Sequence, residues 1–328
     1  MFFFGLISLI VVSAFVFLIP NVVWFVVWLL SRSCGFQVSY APFAWSGLVL
    51  VFALWCLVFY GCYAGRFKLD INRVEYHNTS LPPAFNGYRI VHISDLHLDS
   101  FGTHTEALEK VVDSINNLKP DLVCFTGDIV NLNPDVIKPY IPIVSGIRAK
   151  DGVVSVLGNH DFFIYSREFV TEAQKDSATD EIARIEESMG WRLLRNENIC
   201  VHRGGDSITI IGVDNIHCGN KGFKTIQKGD LSKAMDGADG FSILLTHDPT
   251  HWRYQVVTES DIPLTLSGHT HAAQMRFFGW TPASLMFPDA QGFSDEGGQT
   301  LYVNIGIGCT LPYRIWANPE VTEITLRR

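Results

Sequence analysis

The feature that most limits what this chain can fold into is where its charges are missing. Residues 1–65 carry a single formal charge, Arg32, while the remaining residues hold 24 basic and 33 acidic side chains. Phe2 to Leu30 is apolar apart from Ser8, Ser13 and Asn21, and Phe43 to Tyr63 is a second run rich in Leu, Val, Phe and Trp. A helix crosses the hydrocarbon core with about 20 apolar residues, so both runs are long enough. The first exceeds that length and must tilt, kink at Pro20 or project. With a short link between them, Ser31 to Pro42, residues 1–65 read as a transmembrane helical hairpin with spans of about 2–30 and 43–63. No basic residue precedes the first run, and its length also sets it apart from a cleavable signal peptide. Lys and Arg near span ends favour the cytoplasmic side. The link has Arg32 alone, whereas Arg66, Lys68 and Arg73 follow the second span. This bias predicts a multi-pass membrane protein whose main domain is cytoplasmic. The seven cysteines, an odd number without Cys-x-x-Cys, suit reduced thiols rather than a disulfide framework.

Beyond the hairpin, 66–87 reads as a linker and 88–328 as a globular domain of ordinary charge content. Its acidic balance argues against nucleic-acid binding, and no protein partner is implied. Short apolar strands are expected at 89–94, 121–125, 152–157, 208–213, 241–245 and 262–266, with closing strands at 301–305 and 321–326. Helical periodicity runs over Glu106 to Leu118, with Thr105 as its expected cap, and a second helix is expected over Ser177 to Met189. Five of the strands run into a Gly, Ser or Thr and then into Asp95, Asp128, Asn159, His247 or His269. In layered α/β folds, ligand sites gather beyond the carboxyl ends of strands. Five such clusters predict one convergent site.

The side chains there suit a metal centre. Asp95 and His97, and again His269 and His271, are two residues apart, which on an extended segment puts both on one side. Asp128 offers a carboxylate able to bridge two cations, Asn159 a neutral amide oxygen, and His247 an imidazole. A mixed oxygen and nitrogen set without thiolate suits Mn²⁺ first, with Fe or Zn²⁺ as alternatives. Two divalent ions can clamp both oxygens of an in-line phosphoryl displacement. His160 is placed to protonate a leaving group or to meet phosphate charge. His92, within a strand, reads as core, and His217 and Cys218 as non-ligands. Arg253 and Arg314 are candidates for phosphate contact.

Together, Asp95-Leu-His97, Gly127-Asp128, Gly158-Asn159-His160-Asp161, His247 and Gly268-His269-Thr270-His271 resemble the calcineurin-like metallophosphoesterase family. The motifs stand in the family's order and cover most of the chain after Tyr88. The resemblance implies a four-layer α/β/β/α sandwich with a dinuclear site. One metal would take Asp95, His97, Asp128 and His271, and the other Asp128, Asn159, His247 and His269. His160, helped by Asp161, would be the proton donor or phosphate contact. Ile93-Ser-Asp-Leu-His-Leu98, Thr246-His-Asp-Pro249, Ser267-Gly-His-Thr-His271 and Asn318-Pro-Glu320 are similar to the membrane-anchored branch that includes UDP-2,3-diacylglucosamine hydrolases. That branch commonly follows its last ligand with Gly-Gly-Gln, where this chain has Ala272-Ala273-Gln274. The resemblance implies a phosphoester or pyrophosphate hydrolase acting on a phosphorylated, lipid-linked substrate, with membrane lipid as a further partner. A soluble substrate, or a metal-binding scaffold without turnover, is the alternative. The apolar stretch Phe277 to Phe293, directly after two candidate ligands, is expected to line an acyl-chain groove, to touch the bilayer, or to pack as ordinary core.

Overall fold

The computed structural model describes residues 2–219 and 225–328, and the chain divides into two compact units, residues 1–64 and 65–328.

The first unit is an antiparallel helical pair, α1 (Phe2–Cys34) and α2 (Ala41–Tyr63). Both are long and apolar enough to cross a membrane. Pro20 lies within one continuous α1. Two polar side chains of α1, Ser13 and Asn21, find partners inside the pair. Trp55 Nε1 donates to Ser13 Oγ at 2.9 Å, and the Tyr40 hydroxyl donates to Asn21 Oδ1 at 2.5 Å. Such partners are what a polar group needs where no water is available.

The second unit holds two six-stranded sheets. The first contains β1 (Asp70–His77), β2 (Arg89–Ile93), β3 (Leu122–Phe125), β4 (Val153–Ser155), β5 (Arg192–Leu193) and β12 (Glu320–Arg327), in the order β1-β12-β2-β3-β4-β5. The second contains β6 (Glu197–Arg203), β7 (Asp206–Gly212), β8 (Ser242–Leu245), β9 (Leu264–Ser267), β10 (Gly292–Glu296) and β11 (Gln299–Val303), in the order β10-β11-β9-β8-β7-β6. The strands β2, β3 and β4 are mutually parallel, as are β7, β8 and β9.

The central strands are apolar at nearly every position because both of their faces are covered. Ile90, Cys124 and Val154 point between the sheets and meet Ile210, Ile243, Leu245 and Leu266 there. Their neighbours Val91, Val123, Phe125 and Val153 point outward onto α3 (Thr105–Asn117) and a helix further along the chain, α5 (Glu172–Ser188). A short helical turn, α4 (Ile141–Val144), joins this layer. On the other side Ile211, Leu244, Leu301 and Val303 pack against Leu231, Trp252 and Val256 of short helical segments. The resulting layers are helix, sheet, sheet and helix, as the resemblance implied.

Local details depart from the sequence reading. Residues 66–87 are not a free linker, because β1 pairs with β12 in parallel over its whole length. The inward positions of β1 include Asp70 and Asn72, so no apolar alternation marks it. Asp70 is held instead by Asn318, whose Nδ2 donates to it at 2.9 Å. The helix α5 starts at Glu172 rather than Ser177, since Thr171 and Gln174 form a reciprocal capping box. Thr105 is the first residue of α3 and not its cap, which is His104.

Candidate metal centre

The loops leaving β2, β3, β4, β8 and β9 converge at one end of the two sheets, and all seven proposed ligands sit on them. Three groups of side chains bring their donor atoms within 4.8 Å of one another: Asp95, His97 and His271; Asp128, His247 and His269; and His97, Asp128 and His160. In the first group His271 Nε2 is 3.1 Å from Asp95 Oδ1 and 3.1 Å from His97 Nε2. In the second, His247 Nε2 is 3.2 Å from Asp128 Oδ2 and 3.2 Å from His269 Nδ1. Asp128 Oδ2 also lies 3.7 Å from His97 Nε2, so this carboxylate stands between the two groups.

The backbone is bent sharply to achieve this. Asp95, His97, Asp128, His269 and His271 all have positive φ, from 36° to 73°. Such conformations are costly for these residue types and cluster at functional sites. The close approach of the two sheets needs glycine at 268, where a Cβ would fall 1.7 Å from Ser94 Oγ and 2.5 Å from Asp95 Oδ2.

Backbone carbonyls orient the rings. His247 Nδ1 is 2.7 Å from the Thr126 carbonyl, His97 Nδ1 is 3.2 Å from that of Val130, and His160 Nδ1 is 2.8 Å from that of Asn131. Each contact suits a proton on Nδ1 and leaves Nε2 facing the site, a common arrangement behind metal-binding histidines. His271 is backed differently. Arg314 Nη2 lies 3.2 Å from its Nδ1, and the same nitrogen donates to the carbonyls of Gly308 (2.6 Å) and Ile305 (3.0 Å).

Burial and charge oppose each other throughout. Burial would raise Asp95, yet His271 beside it holds its carboxyl well below the usual range. Asp128 is likewise held low, against burial, chiefly by His247. Burial would lower His247, but the Asp128 carboxylate raises it to about 10. Burial keeps His97 and His269 low despite neighbouring carboxylates. Ionised carboxylates in a buried cleft thus lean on imidazoles, a role that a cation can fill.

A divalent cation suits the residues present. Buried polar atoms are ordinarily hydrogen-bonded, but Asp95 Oδ1 and Asn159 Oδ1 are buried without any such partner. Asp95 Oδ2, in contrast, accepts from Ser94 Oγ (2.5 Å) and the His269 amide (3.0 Å). Of the two oxygens left over, Asp95 Oδ1 faces the histidine cluster, 3.1 Å from His271 Nε2 and 3.8 Å from His97 Nε2, and Asn159 lines the cleft.

The cleft itself has a volume of about 300 Å³ and is lined by Asp128, Asn159, His160, Tyr165, His269 and Gln274 among others. The sequence of motifs missed several of its supports. Among the described residues, no hydrogen bond joins Asp161 to the His160 ring. Its buried carboxylate accepts from the amides of Asp128 (2.7 Å), Gly158 (2.8 Å), Ile129 (3.0 Å) and Val130 (3.4 Å). Burial and the Asp128 charge push it up to about 7. The partner of His160 is Asn131, a loop carbonyl that no side-chain pattern could reveal. Gln274 accepts from the amides of Thr310 (3.0 Å) and Leu311 (2.9 Å) and donates to the Leu311 carbonyl (2.8 Å), fastening that loop to the cleft. Asp248 lies 2.7 Å from His217 Nδ1 and 3.6 Å from His269 Nε2, so His217 stands behind the site although it is not among the grouped ligands.

Other expectations resolve simply. His92 is buried and bonded to Thr126, as a core residue. Arg253 pairs with Asp289 and Glu296 and is not held for phosphate. Arg314 is fully buried against backbone carbonyls, behind His271 rather than in the cleft. Ala272 and Ala273 both adopt left-handed conformations, a region that ordinarily favours glycine.

The sequence profile described as calcineurin-like phosphoesterase matches residues 88–273. The chain belongs to this family. Among its relatives, a Bacillus subtilis protein described as uncharacterized metallophosphoesterase YkuE is 32% identical over 278 residues, covering 82% of this chain and 89% of the relative. A Bos taurus transmembrane protein with metallophosphoesterase domain is 29% identical over 268 residues, covering 78% of this chain. The chain spans 57% of that bovine relative's length. The solved structure of a dimetal phosphatase from Danio rerio aligns over 69% of this chain and 90% of its own, with a TM-score of 0.40 and 11% identity. Family membership makes the protein a metallophosphoesterase-type hydrolase with a dinuclear divalent metal centre.

Proposed function

We propose that the protein hydrolyses a phosphoester or pyrophosphate bond in a lipid-linked substrate at the membrane surface, and that UDP-2,3-diacylglucosamine is that substrate. The observation that carries the hydrolytic part is the pair of ligand groups that meet at Asp128. Asp95, His97, Asp128 and His271 would hold one divalent cation, and Asp128, Asn159, His247 and His269 the other. When bound, the two ions supply charge compensation at phosphorus and a nucleophile at neutral pH. Mn²⁺ is the preferred candidate from the ligand chemistry. The chain's own residues do the rest. His160 lines the cleft with Nδ1 fixed by the Asn131 carbonyl, so Nε2 is the atom free to carry a proton to the departing oxygen. Its amide donates to Asp128 Oδ1 at 2.8 Å, tying the acid to the bridging carboxylate.

The lipid substrate is supported by the two apolar spans that tether the domain and by the motif likeness to the membrane-anchored branch. The excess of Arg66, Lys68 and Arg73 over Arg32 supports a cytoplasmic domain. The test is Mn²⁺-dependent hydrolysis of UDP-diacylglucosamine by the detergent-purified chain, beside an aromatic phosphodiester reporter and His160→Ala. Release of the acylated sugar phosphate, lost in the variant, is expected. Cleavage of the reporter alone would refute the lipid substrate and keep the hydrolase.

A further inference from the structure

We infer that the loops 277–287 and 310–316 form a surface that inserts into the lipid headgroup region and seats the mouth of the cleft on the bilayer. Phe277 and Trp280 exchange both backbone hydrogen bonds, N to O at 2.7 and 3.0 Å, and close a two-residue turn. Phe278 and Gly279 at its tip have φ of 51° and 87°, the signature of a type I′ turn. A phenylalanine at positive φ is strained, and here the strain serves no packing, because Phe278 is 109% exposed. Leu285 (79%), Met286, Trp280, Leu311 and Trp316 are exposed as well.

These residues belong to one surface. The Arg276 amide donates to the Ile315 carbonyl at 3.0 Å, and the Phe277 and Trp316 rings meet edge to face at 5.5 Å. The surface adjoins the site, since Leu311 lines the cleft and the Phe287 ring lies 5.4 Å from that of His269. It is also uncharged. Residues 277–288 contain no Asp, Glu, Lys or Arg, and Arg314, the charge in 310–316, is buried. An apolar patch of this kind marks an interaction surface.

The occupant follows from the chain itself. Only Ala64 to Leu69 separate the end of α2 from β1, a tether too short to let the domain leave the membrane surface. A neutral patch with two tryptophans at its edge has the composition of a bilayer interface anchor. The surface deepens the lipid-substrate reading and rests on it for its purpose, though its test does not.

The test uses the full chain in nanodiscs of phosphatidylethanolamine and phosphatidylglycerol, with plain or brominated acyl chains. The tryptophan emission of Trp280 and Trp316 is obtained as the difference between the unaltered chain and W280F/W316F, which cancels the hairpin tryptophans. Loss of roughly half or more of that difference emission in brominated lipid is expected for interfacial insertion. Equal emission in both lipids overturns the inference, and if W280F/W316F then also turns a dimer into a monomer in light scattering, the patch covers a second copy instead. In a second arm, F278E/L285E should lower turnover of bilayer-embedded UDP-diacylglucosamine about tenfold while leaving reporter cleavage within about twofold. Equal loss on both substrates would mark a structural defect and count against the inference. Quenching without any lipid hydrolysis would overturn the substrate and leave the membrane surface standing.

Discussion

Replacing Asp161 separates its role in the fold from a role in proton transfer. Its carboxylate receives three short backbone hydrogen bonds, from Asp128, Gly158 and Ile129, and a longer one from Val130. It therefore joins the loop after β3 to the loop after β4 and sets where Asp128 points. A hydrogen bond to a charged group contributes about 1.5–3 kcal/mol, and orphaning buried donors costs a similar amount. These losses overlap, so Asp161→Ala should cost roughly 4–6 kcal/mol in all. At about 2–4 °C per kcal/mol for a domain of this size, the melting temperature should fall by roughly 8–24 °C. Asp161→Asn keeps one acceptor oxygen but turns its NH₂ toward two of the amides, and should lose about half as much. The assay is thermal unfolding of the detergent-solubilised chain at pH 8, above the value of about 7 to which burial and the Asp128 charge push Asp161. A melting temperature within about 2 °C of wild type in Asp161→Asn would refute the argument. If that variant instead changed only the pH–rate profile, Asp161 would be acting through His160.

Two further substitutions test other parts of the account. Glu186 is fully buried beside Ser155, and burial, reinforced by Asp161, holds its carboxyl well above the usual range against the Ser155 hydroxyl. A raised value in the folded state means stability that is full at low pH and is lost as pH rises through it. Glu186→Gln, which stays neutral, should therefore melt increasingly above wild type between pH 5 and pH 9, and a constant gap would contradict the assignment. Ala273 sits at φ 50°, ψ 25°. The left-handed conformation costs an alanine about 1–2 kcal/mol, and glycine adds about 0.4–1 kcal/mol of unfolded-state entropy. Ala273→Gly should leave the melting temperature unchanged or raise it by up to about 6 °C, and a clear fall would show that the strain is not relieved.

The parts of this molecule that were legible in sequence share a physical cause. The central strands are apolar on both faces, so they stand out, and each hands the chain directly to Asp95, Asp128, Asn159, His247 or His269. The seven proposed ligands could be named because strand ends converge by construction. What stayed hidden lacked such a mark. In β1 the inward positions Asp70 and Asn72 are polar because their partners come from the far end of the chain, near residue 318 and beyond, and local periodicity cannot show that. The edge strands β5, β6 and β10 were missed for want of a continuous apolar face. The Thr171–Gln174 capping box was present in the sequence and is the signal that fixes the start of α5. The orientation of His160 by Asn131 depends on a backbone carbonyl, and the support of Asp128 by Asp161 on backbone amides. Neither leaves a side-chain pattern to read.

The central claim is a dinuclear centre that shares Asp128. Metal content of the full-length protein, loaded with Mn²⁺ and freed of excess by dialysis, tests it most directly by elemental mass spectrometry. The account predicts about two ions per chain in the wild-type protein. Asp128→Ala should retain fewer than about one, because both ligand groups lose the same carboxylate, while the circular dichroism spectrum stays that of a folded chain. Two tightly held ions in Asp128→Ala, or none in the wild-type protein, would contradict the account.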